Sequence, residues 1–98
     1  MDKLKKFELM EKIAHELEDL KNSQIAVLNK ISKIEVDNME LSNAKLEEKL
    51  PDMDQRAADT VDNIQEILNN FEEVKDKFEN KNKIDELKEQ EAINRAKK

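Results

Sequence analysis

Several residue types are missing from the chain: it has no glycine, cysteine, tryptophan or tyrosine, and its single proline is Pro51. Without glycine a Gly-rich phosphate loop cannot form, and without cysteine there are neither disulfides nor thiol chemistry. A Cys-His pair is therefore impossible, and His15 is the single histidine. Carboxylates are abundant, but few apolar side chains are present to tune their acidity. The sequence indicates that the protein is not an enzyme and has no cofactor.

Long apolar runs and a basic charge balance are also lacking. The longest uninterrupted apolar run covers residues 25–28, far short of a membrane span, and residues 1–14 contain lysines but no apolar signal-peptide core. The net charge of −6 argues against general binding to nucleic acid. We therefore expect a cytoplasmic protein, or one exported by a route that needs no such signal.

What is present is charge arranged on a helical period. Charged residues make up 43% of the chain, and counting the first half by sevens gives two recurring apolar positions. The a positions are Met10, Leu17, Gln24, Ile31 and Asn38. The d positions are Ile13, Leu20, Val27, Ile34 and Leu41. This spacing predicts a long amphipathic helix with a coiled-coil stripe.

The second half is expected to begin at the proline. Pro51 cannot continue a helix without losing a backbone hydrogen bond, and Asp52 with Gln55 forms a capping pattern. We therefore place Pro51 in the turn or in the first turn of helix 2. The next apolar stripe carries Ala57, Val61, Ile64, Leu68, Phe71 and Phe78. The predicted boundaries are about 3–46 for helix 1, about 47–52 for the turn and about 53–95 for helix 2.

Two near-equal helices favour folding back. The predicted fold class is all-α, an antiparallel two-helix hairpin forming one domain over residues 1–98. A second capping pattern, Asp37 with Glu40, leaves open a break of helix 1 near Asp37. Roughly fifteen buried apolar side chains, at ~1.5–3 kcal/mol each, offset only part of the backbone entropy. We expect another chain to complete the hairpin to a bundle.

Apolar residues outside the first stripe point to a partner-binding surface. The residues assigned to it are Phe7, Met10, Ile25, Leu28, Ile67 and Val74. Among these, Phe7 near the open end of the hairpin is expected to be an exposed anchor, because large apolar residues dominate binding energy at interfaces. The alternative is that the extra residues only widen the contact within the hairpin.

Two acidic stretches contain residue types that metal sites use. His15 could share a helical face with Glu11 and Glu18, yet a single imidazole among surface glutamates favours a solvated face. The stretch from Pro51 to Asp59 has alternating acids but lacks the turn glycine of a calcium loop. The sequence predicts no metal site.

Polar residues also interrupt the apolar stripes. They are Gln24, Asn38, Lys75 and Asn82. Such residues either fix the register of a helical contact or mark where it opens to water, and the sequence does not distinguish the two.

The layout of the chain resembles the small helical hairpins of bacterial type VII secretion: about a hundred residues, an acidic balance, two near-equal helices and a central turn. The Trp-x-Gly turn of the WXG-type proteins is absent, since region 42–54 reads SNAKLEEKLPDMD, and their Tyr-x-x-x-Asp/Glu signal is absent too. The resemblance is therefore to the helical partners of LXG toxins. It implies a targeting factor that escorts a toxin's helical domain, and it carries over no functional residue.

The sequence predicts a non-catalytic interaction protein that packs against another helical protein, with the resemblance implying an adaptor or chaperone-like role for a secreted toxin. One alternative is a self-assembling coiled-coil scaffold component, with Pro51 as a kink in a rod. Another is a small helical regulator that inhibits its target by docking a helix in a groove. The expected partner is thus another helical protein or a second copy of the chain.

Overall fold

The computed structural model describes residues 2–96, so both ends of the predicted domain over 1–98 lie outside it. Within that range every regular element is an α-helix: α1 spans Lys3–Leu41, α2 spans Ala44–Lys81 and α3 spans Ile84–Ala96. α1 and α2 pack side by side in opposite directions, and the molecule measures 70 × 25 × 18 Å. The predicted all-α hairpin is confirmed, and α3 is an addition that the sequence did not indicate.

α1 is a single uninterrupted helix. Asp2 caps it, because its carboxylate accepts a hydrogen bond from the Lys5 backbone N–H at 2.8 Å. No proline or glycine interrupts the following 39 residues. The alternative break near Asp37 is wrong, since the helix continues through that residue to Leu41 and keeps Asn38 buried against the turn.

The turn between α1 and α2 consists of Ser42 and Asn43. Ser42 takes the left-handed conformation with φ 58°, and its N–H donates to the Asn38 carbonyl oxygen at 2.7 Å. Asn43 caps α2 by accepting the Leu46 N–H at 3.0 Å. The Asn38 side chain spans the turn: its Oδ1 accepts the Asn43 N–H at 2.9 Å, and its Nδ2 donates to the Asn43 carbonyl at 3.3 Å. We call this pair of bonds the Asn38 latch.

The predicted turn at about 47–52 is therefore wrong, as is the placement of Pro51 in the turn or in the first turn of helix 2. Pro51 lies inside α2 on its exposed side, roughly two turns after the helix begins. Its missing N–H would have bonded to the carbonyl of Glu47, which is exposed, so water can replace that bond. The helix starts earlier because the latch sets the turn and because Leu46 and Leu50 pack against α1.

α2 also ends before the predicted boundary at about 95. Asn82 Nδ2 donates to the Phe78 carbonyl at 3.0 Å, and Lys83 adopts φ 50°, which breaks the helix. The Lys83 carbonyl then accepts the Glu86 N–H at 3.0 Å and starts α3. This reversal buries Ile84 completely. An uninterrupted helix would have continued past the start of α1 and left Ile84 in water.

The register of the hairpin follows from the turn. Lys21 Nζ donates to Gln65 Oε1 at 3.0 Å, and Lys6 Nζ lies 5.2 Å from the centroid of the Phe78 ring. A turn near residue 50 would have set Leu17 opposite Phe78. The turn at 42–43 instead brings Phe78 to the first turns of α1.

The core is small and extends along the contact between α1 and α2, with Ala14, Ile64 and Leu68 buried in its middle. Near the turn, Ile31, Leu50 and Ala57 form a buried cluster with further apolar residues packed against it. At the other end, Phe7 and Ile84 are the most deeply buried large side chains of the described residues. Within residues 2–96, no stretch of helix is both long and apolar enough to cross a membrane.

Candidate functional site

The contact between α1 and α2, here called the seam, uses the a and e positions of α1. Its apolar residues on α1 are Phe7, Met10, Ala14, Leu17, Leu28 and Ile31. Those on α2 are Leu50, Ala57, Val61, Ile64, Leu68, Phe71 and Phe78. All thirteen are buried or half-buried. The seam also contains six polar side chains: Lys21, Gln24, Glu35, Asn38, Asp54 and Lys75.

A second apolar surface lies beside the seam, and we call it the open face. It consists of four levels, each pairing one residue of α1 with one of α2: Ile13 with Val74, Leu20 with Ile67, Val27 with Thr60, and Ile34 with Met53. Six of these eight side chains are large, apolar and between 40% and 52% exposed. Ile13 is half-buried and Thr60 is the single polar member.

Helix geometry places both stripes of the open face on the same side of the hairpin. On each helix an open-face residue comes directly before a seam residue, as Leu20 precedes Lys21 and Ile67 precedes Leu68. Because α1 and α2 run in opposite directions, the same rotation away from the seam turns the two stripes toward one side. The opposite rotation brings Lys21 to Gln65 on the other side.

The edge of the open face along α2 is cationic. The α2 rim consists of five residues at heptad spacing: Lys49, Arg56, Asn63, Asn70 and Lys77. Lys49 lies 3.8 Å from Glu48, and Arg56 lies 3.0 Å from Asp52. These pairs are exposed, and such pairs contribute only about 0–1 kcal/mol. The α2 rim therefore has weakly held cations and no acid of its own. A row of acids lies beside it on the outer side of α2: Asp52, Asp59, Glu66 and Glu73.

The corresponding edge along α1 is mixed. Its residues are Glu16, Ser23, Lys30 and Asp37, with Leu9 at the end. Beyond the last apolar level, toward the start of α1, both stripes become cationic at Lys6 and Lys81. The open face thus has an apolar centre, a cationic side and a mixed side.

The opposite side of the hairpin, the back face, is acidic. Its acids on α1 are Glu8, Glu11 and Glu18, and those on α2 are Glu48, Asp62, Glu72, Asp76 and Glu79. No lysine or arginine occupies the outward positions of α1 and α2 on this side. Two lysines of the seam reach it instead: Lys21 lies 3.8 Å from Glu18, and Lys75 lies 3.2 Å from Glu72.

α3 packs near the back face and leaves the open face uncovered. Lys88 Nζ lies 3.9 Å from Glu11 Oε1 and 5.1 Å from the centroid of the Phe7 ring. Leu4 and Glu91 line two shallow clefts between α1 and α3. All of these contacts fall on the first turns of α1, away from the four open-face levels.

The structure does not bring the six predicted partner-binding residues together. Ile67 and Val74 lie on the open face. Ile25 is half-buried on the other side of α1, Leu28 packs against the core cluster, and Met10 lies half-buried in the seam.

The expectation that Phe7 is an exposed anchor is wrong. Its side chain is 2% exposed because α3 folds over it. The sequence has no glycine there, and Asn82, a residue type that favours helix ends, was the one available signal of the reversal before α3.

The remaining open-face residues were assigned to the wrong surface. Leu20, Val27 and Ile34 occupy d positions and were expected in the seam. A usable signal existed in the e positions, where Phe7 and Leu28 are apolar as well. The a residues therefore have an apolar neighbour on each side, and one of the two stripes has to remain uncovered in a hairpin.

Several of the polar residues along the apolar stripes have structural partners. Asn38 is 5% exposed and forms the latch, so it fixes the register of the hairpin. Lys21 bonds to Gln65, and Asn82 bonds to the end of α2. Within the described residues, no three acidic or histidine side chains are arranged to hold a metal ion, including those around His15.

Glu35 and Asp54 face each other across the seam. A hydrogen bond shared with Asp54, together with partial burial and the negative charge of that neighbour, raises the pKa of Glu35 above its ordinary value of 4.5. Two carboxylates in a helix contact repel each other at neutral pH. This repulsion destabilises the seam close to the cluster of Ile31, Leu50 and Ala57.

Comparisons with known proteins do not identify the site: no family model matches the chain, and no significant match is found among curated proteins or solved structures.

Proposed function

We propose that the protein is a non-catalytic helical interaction protein whose open face packs against another helical protein and thereby becomes the core of a larger bundle. The observation that carries this proposal is the row of four apolar levels, shared by two helices and left exposed by all three. Scattered apolar residues are normal on protein surfaces, but contiguous apolar patches mark interaction sites. A helical surface with heptad spacing is the natural complement of such a row.

The apolar area of the open face limits the binding free energy that it can provide. Each of the six exposed side chains retains roughly half of its accessible surface, so complete burial contributes about 1 kcal/mol each, on the order of 5–10 kcal/mol in all. Association itself costs about 4–15 kcal/mol. Apolar contact alone therefore gives weak binding, and contacts along the rims have to supply the rest.

A role as an escort for the helical domain of a secreted toxin is the narrower form of this proposal. Its support is the resemblance in length, charge and hairpin layout. Its test is co-expression with the products of the flanking reading frames. A helical toxin-like product that co-purifies with the wild-type chain, and not with an open-face variant, would support it, whereas a flanking helical product that co-purifies equally with both would contradict it.

The general proposal is tested with a synthetic probe. The probe is a helical hairpin with leucine at its a and d positions and uncharged glutamine and serine along its rims. We expect the wild-type chain to bind it in a calorimetric titration. The variant Leu20→Asp/Ile67→Asp should bind at least about tenfold more weakly, because two charges enter the centre of the contact.

A matched control is available on the same chain. Val36 and Met39 are 59% and 76% exposed but lie away from the open face. The variant Val36→Asp/Met39→Asp adds the same charge and removes a similar apolar surface. It should bind the probe like the wild type. Equal loss in both variants, or no binding by the wild type, would contradict the proposed function.

A further inference from the structure

We infer that the partner of the open face is a separate helical protein whose apolar stripe is flanked by acidic side chains where it meets α2. This inference rests on the proposed function, because it assigns a chemistry to the occupant of the same surface.

The placement of charge is the first support. The chain has 24 acidic and 18 basic residues, yet the five positions of the α2 rim contain three cations and no acid. Acids of α2 lie on the back face and in an outer row made of Asp52, Asp59, Glu66 and Glu73, but none occupies the rim itself. Cations gathered at the edge of an apolar surface, against the overall composition, are the arrangement that an acidic partner would complement.

The availability of these cations is the second support. Lys77 has no ion pair with any other residue in the described range 2–96, and Arg56 is held only by Asp52 one turn away. The side chains of Lys49 and Arg56 are 60% and 79% exposed. They can therefore turn toward an incoming carboxylate at little cost. Packing of a helix beside them would also lower the local dielectric and strengthen the new pairs.

A second copy of the chain does not supply this complement in full. Two hairpins packed face to face place the α2 rim either against itself, where it meets only cations and amides, or against the mixed edge of α1. In the second arrangement Lys30 lies level with Arg56 and repels it, whereas Asp37 lies level with Lys49. Neither arrangement sets an acid level with Arg56 or Lys77, so a second copy complements the α2 rim only in part.

The experiment uses the full chain and three versions of the synthetic hairpin probe, identical in their apolar positions and rimmed with glutamate, lysine or uncharged residues. Affinity is measured by calorimetry at about 50 mM and about 300 mM salt, where screening differs strongly. We expect the glutamate-rimmed probe to bind at least about tenfold more tightly than the lysine-rimmed probe at low salt. The preference should shrink at high salt.

Two variants with the same net charge separate the effect of the α2 rim from the effect of net charge on binding. Lys49→Glu/Arg56→Glu/Lys77→Glu reverses the α2 rim, and we expect it to reverse the preference between the charged probes. Lys5→Glu/Lys12→Glu/Lys33→Glu changes the net charge equally, on the outer edge of α1 away from the α2 rim. It should retain the preference for glutamate. Circular dichroism of both variants checks that the helices persist.

The outcomes distinguish this inference from the proposed function. Equal binding of all three probes, or a preference that survives reversal of the rim, would contradict the inference that the partner is acidic. The proposal that the open face binds a helical protein would still hold. Failure of the wild type to bind any probe would overturn both. Sedimentation that shows a dimer of the chain, abolished by Leu20→Asp/Ile67→Asp, would assign the open face to a second copy and would also overturn the acidic partner.

Discussion

The seam and the open face lie side by side on the same two helices, and their compositions are the reverse of what a self-sufficient hairpin would show. The covered surface is interrupted by six polar residues, including Lys21, Glu35 and Asp54. The uncovered surface has one polar residue, Thr60, in its four levels. If the hairpin were the whole functional unit, burying the more continuous apolar stripe would give the more stable fold. The difference supports the proposed packing of the open face against another protein.

The same difference explains how the hairpin persists with so small a core. The latch of Asn38 and the cap of Asn43 fix the turn and the register, so the seam does not depend on apolar contact alone. Fixed register keeps the four levels aligned across the two helices. A partner then meets a surface that is already organised, which lowers the entropy cost of binding.

The difference between the seam and the open face is tested most sharply by placing the same charge on each surface. Ile64 is 5% exposed in the seam, and Ile67, less than one turn later, belongs to the open face. Ile64→Asp should destabilise the hairpin by more than about 4 kcal/mol, because it buries an unpaired charge. Ile67→Asp should change stability by about 0.5 kcal/mol or less. Urea unfolding followed by circular dichroism measures both, and similar losses for the two variants would show that the surfaces are not distinct.

The end of the seam that α3 covers gives the next largest effect. Phe7→Ala should cost about 3–5 kcal/mol, because the side chain is fully buried beneath α3. That is a large share of the stability of a small domain. Leu9→Ala is the control, since Leu9 is exposed on the same helix. A Phe7→Ala variant that unfolds like the control would place Phe7 outside the core.

Loss of the Asn38 latch should destabilise the hairpin less than loss of Phe7. Asn38→Ala removes both bonds across the turn, and at about 0.5–1.5 kcal/mol for each bond the cost is about 1–3 kcal/mol. Ser32→Ala, at an exposed position of α1, is the control. If Asn38→Ala left the unfolding midpoint unchanged, the register would have to be set elsewhere.

The two carboxylates of the seam, Glu35 and Asp54, should make the stability of the hairpin depend on pH. Because the pKa of Glu35 is raised in the folded hairpin, its contribution to stability is complete below the ordinary value of 4.5 and is lost as the pH rises through the folded-state pKa. Glu35→Gln removes this loss, so the variant should be more stable than the wild type at pH 7, and the difference should shrink in acid. Glu40→Gln is the control for the general charge of the chain. A Glu35→Gln variant less stable than the wild type at pH 7 would contradict the repulsion.

The sequence predicted the helical class and the hairpin because both depend on the heptad period, which is strong over the whole of α1. It misplaced the turn because Pro51 resembles a helix start, whereas the actual turn depends on Asn38 contacting Asn43, a contact between side chain and backbone that no pattern of apolar residues reveals. It missed α3 because Lys83 adopts a left-handed conformation without glycine or asparagine. It assigned Leu20 and Ile34 to the seam because a and d positions are usual there, and the competing e stripe became visible only with the register.

Mapping the bound surface by methyl NMR tests the central claim most directly. The wild-type chain, labelled at its isoleucine, leucine, valine and methionine methyl groups, is titrated with the glutamate-rimmed probe. We expect shift changes and line broadening at the open-face methyl groups of Leu20, Val27, Ile34, Met53, Ile67 and Val74. The methyl groups of Ile25, Val36 and Met39, which lie away from that face, should stay unchanged. Changes concentrated at those three residues, with the open face unaffected, would show that the partner surface lies elsewhere on the hairpin.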